Sequence, residues 1–226
     1  MREICYKCLR SVDSCLCKYL SPFDSQIKFV FLMHPKEAKR QRTGTGRLAH
    51  AGLIDSEIIV GIDFSKNQRL CQLLEDPNYY PMLLYPEKDA LNAKSDILKD
   101  KIKNKKLLAI IIDSTWFCSK KIIKLSKNIM ELPKLSFYET YSSIFTFKKE
   151  PSPECVSTIE TCYYLIKEMQ SSNLIDKTIN PESLMNAFKE LIKFQLQKEN
   201  DRIDGKLPNT HANDYKYTKK KEIPNL

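Results

Sequence analysis

Glycine, histidine and long apolar runs are all scarce in this chain. Only five of its 226 residues are glycine and 11 are proline, which excludes collagen-like and Gly-rich low-complexity architectures. The longest purely apolar run, residues 107–112, falls far short of the ~20 residues a membrane-spanning helix needs, so no span is expected. There are three histidines, His34, His50 and His211, and neither H-E-x-x-H nor G-x-S-x-G occurs, which leaves histidine-based hydrolysis little to work with. G-x-x-x-x-G-K-[ST] and G-x-G-x-x-G are missing as well, so the two common phosphate-cradling loops are excluded. The first 20 residues carry four cysteines and several charges where the apolar centre of a secretory signal would sit, and the chain is expected in the cytosol.

With 42% hydrophobic residues, the chain can build one globular domain plus a small appendage. A reducing compartment makes the eight cysteines metal ligands or free thiols rather than a disulfide framework. Four of them fall together as Cys5-x-x-Cys8 and Cys15-x-Cys17, while Cys71, Cys118, Cys155 and Cys162 are scattered. Two tight pairs of thiolates can close a tetrahedral Zn²⁺ site. A 20-residue appendage cannot bury enough apolar surface to fold alone, and zinc, worth roughly 10 to 16 kcal/mol in finger peptides, would hold it together. The alternative is four unrelated free thiols. The chain therefore divides into a four-cysteine zinc-binding knuckle over 1–20, a main domain over 21–200 and a basic C-terminal tail over 201–226.

Within the main domain, Ile27 to Met33, Ser56 to Gly61, Pro81 to Tyr85 and Leu107 to Ile112 read as strands, the last stopped by Asp113. Runs apolar on both faces predict a parallel sheet covered by helices. A short helix is expected over 67–75. The spacing of Ile122, Leu125 and Ile129 predicts an amphipathic helix with Lys120, Lys124 and Lys127 on another side. Ser157-Thr158-Ile159-Glu160 has the form of a capping box opening a helix over 158–170. Asn180-Pro181-Glu182 opens another, expected to end near Gln197. Strands alternating with helices give an α/β domain, whose ligands bind beyond the carboxyl ends of the strands. Attention falls on His34-Pro35, Tyr85-Pro86 and Asp113-Ser114-Thr115-Trp116. Asp113 could serve a ligand there or only an Asx-turn, Ser114 or Thr115 could cap the helix, and Trp116 could be core. The capping box also creates a helix start suited to an anion.

The positive charge is patterned. Lys and Arg number 37 against 28 Asp and Glu, a net +9. Cations cluster at 36–47, around Thr43-Gly44-Thr45-Gly46-Arg47, and at 94–106, 120–127 and in the tail. A polyanionic partner fits this distribution, and a solvated lysine-rich surface is the plainer alternative.

Taken in order, the pieces are Cys5, Cys8, Cys15 and Cys17; His34-Pro35-x-Glu37; Thr45-Gly46-Arg47-Leu48; Pro77-x-Tyr79-x-Pro81-Met82; Asp113-x-Thr115-Trp116; and Ser157-Thr158-x-Glu160. This series resembles the DTW-domain family of tRNA-uridine aminocarboxypropyltransferases over residues 5 to about 170. The resemblance implies a SPOUT-like α/β fold with a C-terminal trefoil knot and an N-terminal zinc-binding knuckle. It also implies transfer of the 3-amino-3-carboxypropyl group of S-adenosylmethionine to N3 of a tRNA uridine, leaving methylthioadenosine, with no membrane and no DNA involved. Asp113 would be the general base. Thr45, Tyr85, Pro86, Ser114, Thr115, Trp116, Ser157, Thr158 and Glu160 would surround the donor, and Lys36, Arg40, Arg42, Arg47, Lys120, Lys121 and Lys148 would meet the RNA. The chain departs from the family pattern at Gly44, where asparagine is common. It departs again at Phe145-Thr146-Phe147-Lys148, in place of a Tyr-Arg-x-Arg-like stretch; Lys148 keeps one charge but not a bidentate fork. Two other readings stay open, an RNA methyltransferase on the same fold and a non-catalytic zinc-ribbon RNA-binding protein.

Overall fold

In the computed structural model, which describes residues 3–39, 44–145, 155–208 and 220–224, the apolar runs become strands of one five-stranded sheet. The strands are β1 (Lys28–Met33), β2 (Ser56–Val60), β3 (Tyr79–Leu84), β4 (Lys106–Asp113) and β5 (Lys134–Leu135), in the order β2-β1-β4-β3-β5 with every pairing parallel. Alternate residues of β1 serve different layers. Phe29 and Phe31 belong to one core and Val30 and Leu32 to another. That division is why β1 and β4 read as unbroken apolar runs instead of alternating ones.

Helices fill both layers. On the Phe29 side lie α2 (Gly46–Gly52), α4 (Asp96–Ile102), α7 (Thr158–Ser171) and α8 (Glu182–Ile203), contributing Leu48, Leu98, Ile166 and Phe188 among others. On the Val30 side lie α3 (Gln68–Glu75), α5 (Trp116–Leu125) and α6 (Lys127–Met130), through Leu70, Ile122 and Ile129. A short α1 (Pro35–Lys39) follows β1 directly. No helix among the described residues is long and apolar enough to cross a membrane.

The boundaries differ from the sequence expectations in instructive ways. The helix predicted through Ile122, Leu125 and Ile129 breaks at Ser126, whose hydroxyl accepts the Phe64 N–H at 2.9 Å. The break turns Ile129 back to the core and leaves Leu125 exposed. The last helix runs six residues past Gln197, to Ile203, and Asn200 near its end donates to the Lys221 carbonyl at 3.0 Å and accepts its N–H at 3.2 Å. Pro81 sits inside β3 without harm. The N–H groups of Leu83 and Tyr85 go to Pro133 and Leu135, so the missing donor of Pro81 points to the same side, where β5 has not begun. The last helix opens one residue later than the capping signal implied, with Pro181 at its N-cap, and Asn180 just before it accepts the Glu182 N–H at 3.0 Å.

At the amino end of the sheet a charge network closes the bottom. Lys28 bridges Asp55 at 3.0 Å and Glu57 at 2.7 Å, Lys106 joins Asp55 at 2.6 Å, and Arg69 grips Glu57 through two donors. The Arg69 bonds, aided by Lys28, hold the Glu57 carboxyl at about 2 instead of the usual 4.5. A carboxyl titrating lower folded than unfolded adds stability at neutral pH that drains away on acidification. Its contribution is complete above about pH 5 and is lost as the pH falls toward 2. Glu57→Gln should therefore flatten the acid limb of the stability curve over that interval, followed as the urea midpoint at each pH. An acid limb of unchanged slope would mean that the network contributes nothing.

Candidate functional site

The sheet order changes direction between β1 and β4, and a parallel sheet with helices on both faces opens its ligand crevice at such a switch point. Asp113 ends β4 at that place, in register with Met33 of β1, and its carbonyl accepts the His34 N–H at 3.3 Å. Asp113 is 8% exposed. Its Oδ1 accepts the Thr158 hydroxyl at 2.7 Å, from the first residue of α7. The first residue of α2 closes the other flank. A Cβ on Gly46 would overlap Asp113 Oδ2, so only glycine lets the α2 backbone approach this closely. Three segments far apart in sequence thus meet at one carboxylate.

Around it, His34 is 5% exposed and its Nδ1 accepts the Lys36 N–H at 3.1 Å, which fixes the neutral ring with its proton on Nε2. Burial lowers its pKa, and the charges of Lys36 and Lys121 add to the effect. Cys162, wholly buried in α7, has its thiol pushed up by burial and then by the Asp113 carboxylate, so it stays protonated.

The other expected site residues fall into groups. Thr45 is buried at the position before α2, its carbonyl accepting the Ala49 N–H at 2.9 Å. Tyr85 is half-buried one strand over, and Pro86 beside it is exposed. Thr115 occupies the position before α5 but its hydroxyl makes no capping bond, and Ser114 Oγ reaches only the Thr115 carbonyl, at 3.3 Å. Trp116 is 46% exposed and is not core. Ser157 and Glu160 do form a capping box: the Ser157 N–H and hydroxyl donate to Glu160 Oε2 at 2.8 and 2.6 Å. Ser143 and the Ile144 N–H also donate to Glu160, which is fully buried. The hydroxyls of Ser157 and Thr158 are therefore engaged internally. What the start of α7 offers an anion is its backbone N–H groups and dipole.

Among the expected RNA contacts, Lys36, Lys120 and Lys121 are exposed. Arg47 is half-buried, with Nη2 donating to the Ala38 carbonyl at 3.4 Å. Arg40, Arg42 and Lys148 lie outside the described residues, as does His211. Sequence reasoning marked His34 only as the residue after a strand and gave Gly46 no role, although both stand inside quoted motifs. Gly46 acquires its place only once α2 packs against the end of β4, and His34 is tied there by its N–H bond to the Asp113 carbonyl.

At the other end of the chain, the Sγ atoms of Cys5, Cys8, Cys15 and Cys17 all lie within 4.8 Å of one another, with Cys5–Cys17 at 3.9 Å and Cys8–Cys15 at 3.7 Å. They could hold one metal ion. Tetrahedral coordination with Zn–S bonds of ~2.3 Å puts sulfurs about 3.8 Å apart, so the donor set fits zinc. The Cys8 N–H lowers the Cys5 thiol to about 6, whereas burial raises Cys15 and Cys17. Packed together, these thiols ionise fully only with a cation among them.

The family model of the DTW domain matches residues 2–196. Among curated proteins, the chain is similar to tRNA-uridine aminocarboxypropyltransferase 2 of Mus musculus, 27% identical over 202 residues that make up 87% of this chain and 64% of that protein. The same-named protein of Macaca fascicularis is 25% identical over 206 residues, again 87% and 64%, and that of Drosophila melanogaster 27% over 202 residues, 86% and 76%. The chain thus spans less than two thirds of the length of the mouse and macaque relatives. No solved structure matches it.

Gly46→Ala tests the close approach. Overpacking of this kind costs about 1–3 kcal/mol, so the variant should unfold at lower urea, and any activity that depends on the position of Asp113 should fall with it. A variant as stable as the parent would show that α2 moves aside at no cost.

Proposed function

This chain belongs to the DTW domain family, and from that premise we propose that it is a tRNA-uridine aminocarboxypropyltransferase acting in the cytosol. The observation that carries the reading is the meeting of Gly46, Thr158 and Asp113 at the carboxyl end of β4, and the names of the relatives support it. On this reading the fold is SPOUT-like with a C-terminal trefoil knot, the acceptor is N3 of a tRNA uridine and the donor is S-adenosylmethionine.

Neutral uridine N3 carries a proton and is a poor nucleophile. Asp113 takes that proton as the N3–Cγ bond forms and the Cγ–sulfur bond breaks. The departing electron pair stays on sulfur, so the cationic sulfonium becomes neutral methylthioadenosine. The Thr158 hydroxyl, donating to Oδ1, orients the carboxylate for that transfer. The remaining demand is positional: the γ-carbon, not the methyl, must face N3 in line with sulfur. The start of α7 holds the donor's carboxylate through backbone N–H groups, Thr45, Tyr85, Pro86 and the 114–116 turn line the donor, and Lys36, Arg47, Lys120 and Lys121 face the RNA together with Arg40, Arg42 and Lys148.

Asp113→Asn preserves shape and can still accept from Thr158. It should bind S-adenosylmethionine as the parent does in calorimetry, yet form methylthioadenosine at least about 100-fold more slowly. Undiminished turnover removes Asp113 from its role, and S-adenosylhomocysteine as the product would make the enzyme a methyltransferase.

The knuckle ion on this reading is zinc, held by Cys5, Cys8, Cys15 and Cys17 as a closed structural site that supplies a cross-link and no chemistry at Asp113. Elemental analysis should find about one zinc per chain, lost together with thermal stability in Cys8→Ser. A zinc-free chain whose melting a chelator leaves unchanged would sink the assignment.

A further inference from the structure

The outward face of α5 combines exposed aromatic rings with a row of lysines. Phe117 is 82% exposed and Trp116 beside it 46%, whereas the same helix buries Cys118, Ser119 and Ile122. Residues 117, 120, 121 and 124 follow the i, i+3, i+4, i+7 spacing and share one side of the helix. Lys120, Lys121 and Lys124 are all exposed, and α5 contains no acidic residue. With a rise of about 1.5 Å per residue, Lys121 lies about 6 Å and Lys124 about 10.5 Å beyond Phe117, trailing away from the Asp113 end. Aromatic at the mouth of the crevice and cationic beyond it, this face is complementary to a strand with bare bases and a phosphate backbone. An apolar protein partner would have no use for three lysines of one sign in line with the ring.

We propose that this face binds single-stranded RNA, with Phe117 stacking on the nucleobase next to the target uridine and Lys120, Lys121 and Lys124 neutralising the phosphates that follow. The inference rests on the proposed function and names how the same site holds its acceptor. Phe117 is a positioning residue: it fixes the strand so that one uridine reaches Asp113, four residues earlier in the chain. Stacking is tolerant of sequence, so the recognition belongs to loops with unpaired bases and not to duplex.

Trp116 is the only tryptophan, and its emission reports on this surface without any donor present. Titration of the full chain with a short oligouridylate should quench that emission. Phe117→Ala should weaken binding roughly 5- to 100-fold, Phe117→Tyr should restore it, and an abasic strand of equal length should bind parent and Phe117→Ala alike. Lys124→Glu should lower the slope of log affinity against log salt by ~0.7. Phe117→Ala binding within about twofold of the parent, or an abasic strand bound as tightly as oligouridylate, would overturn the proposal. A parent that binds nothing but a protein partner would overturn it too. Since binding is read apart from transfer, Phe117-dependent binding without methylthioadenosine formation would sink the proposed reaction alone.

Discussion

The hydroxyl of Thr158 donates to Asp113 across 45 residues of chain, and the architecture of the crevice hangs on that bond. A carboxylate on a residue that is 8% exposed, at the end of a central strand, is costly unless its oxygens are met. Thr158 meets one of them, and the α2 backbone at Gly46 packs against the other. Both contacts require α7 and α2 to lie on the same layer of the sheet, where their apolar faces share a core with Phe29, Phe31 and Ile111. Packing sets the helices, and the helices then present a hydroxyl and a bare backbone to Asp113 at the switch point.

The same device recurs along α7. Glu160 accepts from the Ser143 hydroxyl, the Ile144 N–H and both donors of Ser157. Glu168, about two turns on, accepts the N–H groups of Tyr138 and Glu139 and the Tyr141 hydroxyl. Burial pushes the Glu168 carboxyl up, and those donors push back. Two buried carboxylates thus gather the 138–144 segment onto a helix, supplying partners for backbone groups that would otherwise be orphaned. Tyr141 stacks on Tyr164 with centroids 3.9 Å apart and closes the arrangement.

Elements buried on both faces were legible in the sequence, because β1 and β4 could satisfy two cores only with unbroken apolar runs. Short elements were not. β5 has two residues, α1 five, and α2 and α4 seven each, too few for a period to register. The break at Ser126 depends on a bond from Phe64, 62 residues away, which no local pattern carries. Within the site, Asp113 could be marked as a residue at a strand end, but Gly46 and Thr158 acquire meaning only through parallel pairing and helix packing. Ser157 and Glu160 show the reverse case. Their local capping signal was correct, and it engages the very groups that the resemblance would offer to a donor.

The cysteine knuckle is less remote from this chemistry than its sequence position suggests. Leu16 and Leu20, beside Cys15 and Cys17, are buried in the same core as α2, α7 and α8. A Cβ on Gly52, the last residue of α2, would come within 3.1 Å of Leu20 and 2.6 Å of Leu184. α2 is seven residues long, so one end is wedged between the knuckle's apolar stem and α8 while the other end lies against Asp113. A helix that short has little stability of its own and keeps its place through its contacts. Whatever orders the four thiols therefore also fixes the stem on which Gly52 rests, and through one rigid pair of turns the approach of Gly46 to the carboxylate. A change in the order of the four cysteines would therefore be felt first at the Asp113 end of α2, before the sheet itself gave way.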